Sequence, residues 1–345
     1  MKRIILAYSG SLAGSAAIPW LAQRYGAEVV TVTLDFGQDR ELAAIRERAL
    51  GLGAVRAHVI DVREAFVHQY LLPALQAGVV SDGYVLSRPS IAKRLAELAR
   101  MESAFAVAHA APPGSGVEAA LSTEISSLGV DVLAPARGMA DAGVDPRTLA
   151  NGVHVGPERR FRVDVSPWGR RITGFDGTPL PDDAFTLTRA PHEGPDHPAV
   201  IEIEFQAGVP VRTNGVELSL AELVESLDTI AGAHGVGRNV SGEMAVESPA
   251  WTVLAIAHRE LEAQTLGEDL VRLKELLARL YSDAMVNGRW FSDTREAIGA
   301  FVSILQKRVT GKVTLRLLKG QTVVAGRGPS GPTSVPPVPQ RKVVA

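Results

Sequence analysis

Ile4-Ile5-Leu6-Ala7-Tyr8 followed by Ser9-Gly10-Ser11-Leu12-Ala13-Gly14-Ser15 is the stretch on which the reading of this chain turns. An apolar run, a Gly/Ser turn and an apolar-periodic segment over Ser15–Tyr25 predict a buried strand, a tight loop and a helix. Those three parts aim backbone N–H groups at an anion, because glycine permits close approach and a helix N-terminus favours negative charge. The turn lacks the Gly-Lys-Ser/Thr of a Walker loop and the spacing of the dinucleotide fingerprint. From these residues alone it is either a phosphate cradle or an ordinary βα turn that binds nothing.

Moving outward, the same alternation continues. Val29–Leu34, Ala57–Ile60, Phe105–Ala108 and Asp131–Ala134 read as further buried strands. Glu41–Leu52, Glu64–Ala77, Ile91–Arg100 and Val117–Leu128 carry helical periodicity between them. This is the pattern of βαβ units, and it predicts a doubly wound, mostly parallel α/β sheet. From about Ala140 to Pro198 the pattern loosens into Gly, Pro, Arg and Asp, read as a boundary and an irregular segment. Beyond it, Ile201, Ile203 and Phe205 alternate with Glu202 and Glu204 as a half-exposed strand does, with Val211–Leu218 as its hairpin partner. Helices are expected over Leu220–Ala233, Glu268–Met285 and Thr294–Lys307, the last with Asp293 and Glu296 at capping-box spacing. Lys312–Leu318 and Thr322–Ala325 complete an α+β second half. The expected division is residues 1–155, residues 156–327 and a Pro-rich disordered tail over 328–345.

Composition narrows the function classes. The chain has 345 residues, 46% hydrophobic and 21% charged, which suits a globular protein of two domains. Lys plus Arg number 36 and Asp plus Glu 38, for a net charge of −2, so no general attraction to nucleic acid or anionic membrane is expected. Cysteine is absent, which excludes disulfides, thiol catalysis and thiolate metal sites. The eight histidines are scattered, and no metal site is expected among them. His109, at a strand end, faces either a pocket or its own hydrogen-bonded surroundings. The arginines of residues 159–171 read as solvated surface. No signal-peptide pattern or membrane span is read, so the expected location is cytoplasmic.

The turn resembles the pyrophosphate-binding motif of the argininosuccinate synthase family, Ala-Tyr-Ser-Gly-Gly-Leu-Asp-Thr-Ser. Ala7, Tyr8, Ser9, Gly10, Leu12 and Ser15 match it, while Ser11, Ala13 and Gly14 replace Gly, Asp and Thr. Further segments follow in the family's order: Asp35-Phe36-Gly37-Gln38, Tyr84 with Arg88-Pro89-Ser90-Ile91-Ala92-Lys93, Val132–Arg137, Ile201–Phe205, His234–Arg238, Trp290-Phe291-Ser292 and Leu318-Lys319-Gly320-Gln321. The resemblance covers residues 3 to about 328. It implies an ATP-pyrophosphatase-like nucleotide domain followed by a synthetase-type domain. It also implies the family's reaction: ATP adenylates the ureido oxygen of citrulline, pyrophosphate leaves, and the amine of aspartate displaces AMP. ATP with Mg²⁺ is the implied cofactor. Ala7, Tyr8, Ser9, Gly10, Ser11, Gly14, Ser15, Leu34 and Gln38 become nucleotide-binding candidates, with Tyr84 and Arg88 as substrate candidates.

The resemblance also has gaps. Ala13 removes a carboxylate from the turn, which weakens the expected ATP and metal binding. Where the family carries Gly-Lys-Gly-Asn-Asp-Gln-x-Arg-Phe after its strand, this chain has Ala110–Ala120 without Lys, Asn, Asp or Arg. The Asp-x-Val-Glu-Asn-Arg run expected after Arg238 is lost, and Val246 stands where the family has tyrosine. Two expectations follow: a ligase of this lineage with altered substrate or strongly reduced catalysis, or a non-catalytic, nucleotide-binding partner or regulator. The family's C-terminal arm is replaced by the Pro-rich tail, so any homo- or hetero-oligomer forms without it.

Overall fold

The computed structural model describes residues 2–37, 41–79, 83–150, 161–166, 169–174 and 177–329, without the side chains of residues 83, 84 and 162. The expected boundary at residues 155/156 and the expected disordered tail, from residue 330 on, lie outside the described residues.

Five strands, β1 (Arg3–Ala7), β2 (Glu28–Asp35), β3 (Arg56–Asp61), β4 (Ala106–His109) and β5 (Val132–Leu133), form a parallel sheet in the order β3-β2-β1-β4-β5. Between and after them run α1 (Leu12–Tyr25), α2 (Leu42–Gly51), α3 (Arg63–Phe66), α4 (Leu72–Ala77), α5 (Ser87–Met101), α6 (Gly116–Ser127), α7 (Pro135–Asp141) and α8 (Pro146–Leu149). Successive β1 side chains point to opposite faces. Ile4 and Leu6 pack with Ile18, Leu21 and Ile45 of α1 and α2. Ile5 faces the other way, into a core with Leu95 of α5 and Ile125 of α6. Both faces of β1 and β4 are therefore covered, which is why these central strands are apolar runs. The buried strand expected over Ala57–Ile60 is instead a half-exposed edge, β3, and β5 at the other edge is half-buried rather than buried, because an edge strand has a neighbour on one side only. The single helix expected over Glu64–Ala77 is instead α3 and α4 joined by a π-helical turn, Val67–Leu71. Pro73, in the first turn of α4, cannot donate a backbone hydrogen bond to an α-helical ladder there.

The second half is α+β. Strands β8 (Ala199–Gln206), β9 (Val209–Thr213), β10 (Val216–Glu217), β13 (Gly311–Leu318) and β14 (Gln321–Gly328) make an antiparallel sheet ordered β10-β9-β8-β13-β14. A second antiparallel sheet, β11-β12-β7-β6, joins β6 (Phe161–Ser166), β7 (Gly169–Gly174), β11 (Arg238–Ser241) and β12 (Met244–Glu247). Two of its strands occupy the segment expected to be irregular. Helices α9 (Leu220–Ala233), α10 (Pro249–Thr265), α11 (Glu268–Val286) and α12 (Asp293–Gln306) pack around these sheets. The α12 cap is Ser292, whose side chain accepts from the Arg295 N–H, rather than Asp293. The capping box lies on α9 instead, between Ser219 and Glu222. Among the described residues no helix is long and apolar enough to cross a membrane.

The two halves share one core. Val30, Phe66 and Leu75 belong to the same buried cluster as Phe205, Leu227, Trp251 and Leu305. Gln76 extends this with a side-chain bond to the Gly208 carbonyl at 3.3 Å.

Candidate functional site

Strand β1 is the centre of the parallel sheet, with Ala7 in register with Val32 of β2 on one side and His109 of β4 on the other. The chain leaves β1 for β2, and crosses after β3 to β4 on the opposite side. The carboxyl ends of β1 and β4 therefore flank the point where strand order reverses, the place where open α/β sheets bind ligands. Two loops meet at this edge, the 8–11 turn and the 110–115 loop.

The turn is built around two buried hydroxyls. Tyr8, held by its N–H to the Val32 carbonyl at 2.8 Å, places its phenol oxygen 2.9 Å from the Ser15 hydroxyl. Burial raises the Tyr8 pKa, partly offset by Ser15 and the nearby Arg48 cation. Ser11 is the N-cap of α1 and accepts from the Gly14 N–H at 3.2 Å, while the Ser15 N–H bonds the Ser11 carbonyl. The N–H groups of Leu12 and Ala13, in the first turn, have no intrahelical partner and offer an anion two donors with the helix dipole behind them. Gly10 has φ 76°, and a Cβ there would come within 3.2 Å of Ile45 and 3.3 Å of the Arg48 guanidinium. Arg48 in turn donates to the Gly10 carbonyl at 3.2 Å, placing a cation beside the turn. Gly14 is buried, and a Cβ on it would meet the Ser11 hydroxyl at 3.0 Å and the Tyr8 ring at 3.3 Å. Ser9 is exposed at the mouth of the turn.

At the end of β2, Leu34 and Phe36 are buried, and the Asp35 carboxylate accepts from the Gly37 N–H at 2.8 Å. Gln38 lies outside the described residues, as does the Tyr84 side chain. Arg88 is buried and donates to the Val85 carbonyl and to the carbonyls of Met285 and Val286 at 3.3 and 3.0 Å. Those are the final carbonyls of α11, so Arg88 acts there as a C-terminal cap.

The 110–115 loop closes on itself. Glu118 on α6 accepts two bonds from Arg137, at 2.7 and 2.6 Å, and one from the Gly114 N–H at 2.7 Å. Arg137, first among these partners, holds the Glu118 carboxyl below its usual range. His109 is 1% exposed, and burial pushes its pKa down to about 4. Its Nδ1 accepts from the Ala111 N–H, so Nε2 carries the proton and donates to Ser122 at 2.9 Å. Deeper in α6, Glu124 is fully buried with neither carboxylate oxygen hydrogen-bonded among the described residues, and burial pushes its pKa up to about 8 against the pull of Arg88. Sequence reasoning missed Glu118, Glu124 and Arg48 as members of this edge. The 19-residue gap between Glu118 and Arg137 carries no local signal of their pairing.

The turn carries no carboxylate, and among the described residues no group of three or more acidic or histidine side chains is placed to hold a metal ion. A Mg²⁺ carried on a nucleotide needs only one or two protein carboxylates beside the phosphates.

Comparison with known proteins supplies the rest. The family model described as the arginosuccinate synthase N-terminal HUP domain matches residues 3–147, and the arginosuccinate synthase C-terminal domain matches residues 175–331. The argininosuccinate synthase of Pelotomaculum thermopropionicum is 39% identical over 351 residues, covering 94% of this chain and 88% of the relative. That of Symbiobacterium thermophilum is 38% identical over the same coverage. The Bacillus thuringiensis argininosuccinate synthase is 35% identical over 350 residues, 94% of this chain and 87% of the relative.

Proposed function

The chain belongs to the argininosuccinate synthase family, and from that membership we propose that it is an ATP-dependent, AMP-forming carbon–nitrogen ligase whose condensation of citrulline with aspartate is altered in substrate or strongly slowed. The observation that carries this reading is the capped, glycine-cleared turn after the central strand. The triphosphate lies over the N–H groups of Leu12 and Ala13, Gly10 keeps the approach open, and Arg48, which donates to the Gly10 carbonyl, sets a cation beside it. The ureido oxygen of citrulline attacks the α-phosphorus, pyrophosphate leaves, and the aspartate amine then displaces AMP.

The condensation is the weak part. A desolvated carboxylate needs charge-assisted partners. The 110–120 segment supplies none, and the arginine at its rim, Arg137, is engaged by Glu118. The same reading divides the chain near residues 155 and 156, with nucleotide chemistry before and amino-acid chemistry after. The Arg137–Glu118 closure also favours a second reading, a nucleotide-binding partner or regulator without catalysis.

The test is purified full-length protein with ATP, Mg²⁺, citrulline and aspartate, reading pyrophosphate and AMP. Turnover at an ordinary enzyme's roughly 1 to 10³ per second overturns the slowed reading. Slow release that rises with another ureido or amine substrate supports altered specificity. Saturable ATP binding without pyrophosphate from any substrate supports the partner reading.

A further inference from the structure

A second polar cleft lies in the C-terminal half, away from the nucleotide turn. Its volume is about 520 Å³, within the range of small-molecule sites, and it is walled by residues 185–190, the end of α9 and the start of β11. The wall is rigid. Glu247 on β12 is fully buried and accepts from the backbone N–H groups of Thr186, Leu187 and Thr188 at 3.2, 3.1 and 2.8 Å. It also accepts from the Thr188 hydroxyl at 2.6 Å and from Arg170 at 2.6 Å. That nest pins the segment against α9, where a Cβ on Gly232 would fall 1.9 Å from the Leu187 carbonyl oxygen. Neighbouring strand residues point to opposite faces, so Val246, the position where the family has tyrosine, faces away from this wall.

Arg189, Arg238 and Asp228 line the cleft without an ion pair among the described residues; Asp182 and Glu193 also line it, Glu193 lying 4.0 Å from His192. Arg238 stacks its guanidinium 4.0 Å from the Phe185 ring centroid and, among the described residues, bonds neutral groups, the hydroxyl and carbonyl of Thr188. Arg189 is exposed and makes no ion pair among the described residues. Opposite them, Asp228 accepts the Ala250 N–H through one carboxylate oxygen at 2.7 Å, and no second bond to it is found among the described residues. It sits beside the C-terminal turn of α9, whose carbonyls add partial negative charge. Opposite charges sharing a cleft without meeting call for a ligand that carries both signs and spans the gap.

We propose that this cleft binds a free α-amino acid, its carboxylate on Arg238 and Arg189 and its ammonium toward Asp228 and the α9 terminus. The site is separate from the nucleotide turn, needs no ATP, and does not depend on the ligase reading.

The test is calorimetric titration of the full chain, without nucleotide, against each of the twenty free L-amino acids. The deaminated and decarboxylated analogues of any binder serve as controls. At least one amino acid should bind saturably below about 1 mM, with both analogues weakened at least about tenfold. Arg189→Ala, which removes an exposed side chain, and Thr229→Arg, which fills the cleft from α9, should each weaken binding about tenfold or more while leaving the ligand-free melting temperature near that of the parent. Absence of any binding below 10 mM overturns the proposal. So does binding that both variants leave unchanged, since that places the amino acid elsewhere, and so does an analogue lacking one charged group that binds as tightly as its parent.

Discussion

The hydroxyls of Tyr8 and Ser15 lie 2.9 Å apart, sealed beneath the first turn of α1, with Ser15 wholly inaccessible to solvent. This pair ties the last residue before the loop to the first full turn after it, so the loop's shape depends on it. Ser15→Ala leaves the Tyr8 hydroxyl buried without its partner, and should lower unfolding free energy by about 1–2 kcal/mol in urea titration. Tyr8→Phe leaves the Ser15 hydroxyl stranded in the same way and should cost a similar amount. If both variants match the parent, the pair contributes nothing to stability.

Gly10 sets the clearance of the turn. Gly10→Ala places a methyl against Ile45 and Arg48 at a backbone angle of φ 76° that favours glycine. ATP affinity, read by equilibrium binding, should fall by about tenfold or more, corresponding to about 1.4 kcal/mol. An unchanged affinity would show that the nucleotide does not approach this turn.

Arg137 governs the ionisation of Glu118. Arg137→Met removes the first cause of its lowered pKa and leaves the carboxylate with the Gly114 N–H as its remaining partner named above. The Glu118 titration midpoint, followed by carboxyl carbon resonance, should rise. A midpoint that stays put would mean the ion pair does not form in solution.

Stability should decline at both ends of the pH scale for different reasons. His109 has its pKa pushed down to about 4 from an ordinary 6.5, so its contribution is complete above 6.5 and is lost as pH falls toward 4. Glu124 has its pKa pushed up to about 8 from 4.5, so burial carries no charge penalty below 4.5. Between those values the unfolded chain releases the proton that the folded chain keeps, and stability falls as pH rises, by up to about 1.4 kcal/mol per unit. Asp228, pushed up to about 7, acts in the same direction. Between pH 6.5 and 8, above the His109 window, Glu124→Gln should flatten the decline and raise the melting temperature at pH 8. A parent protein whose stability climbs from pH 6.5 to 8, with the variant following it, would show that Glu124 ionises freely.

The parallel sheet was readable because Ile4–Leu6, Val29–Val32 and Ala106–Ala108 are buried on both faces, and such strands must be apolar throughout. The β6–β7 hairpin was not, because the Arg and Asp of Phe161–Ser166 and the paired Arg170 and Arg171 make a short, one-sided sheet look like a polar loop. Helix α10 escaped for the opposite reason. Pro249, Ala250, Trp251, Val253, Leu254, Ala257 and His258 are all buried, so its first turns lack the polar face that marks an amphipathic helix. At the carboxyl edge of the parallel sheet the turn was legible as a tight βα connection, because glycine and serine follow a buried strand and precede a helical period; its residues alone left open whether it cradles a phosphate. Arg88 was singled out by motif, and its bonds to the α11 carbonyls are visible only in the packing of distant segments. Arg48 and Glu118 lacked any local signature, because each gains its significance from a partner tens of residues away.

The cluster joining Val30 and Phe66 to Phe205 and Trp251 has a consequence for how the molecule behaves when stressed. The two halves bury apolar side chains against each other, so severing the polypeptide near residue 155 would leave each fragment with a greasy, unclosed flank. Scanning calorimetry on the intact protein should accordingly register one heat-absorption peak rather than two, and recombining separately expressed fragments should restore order only when both are in the tube.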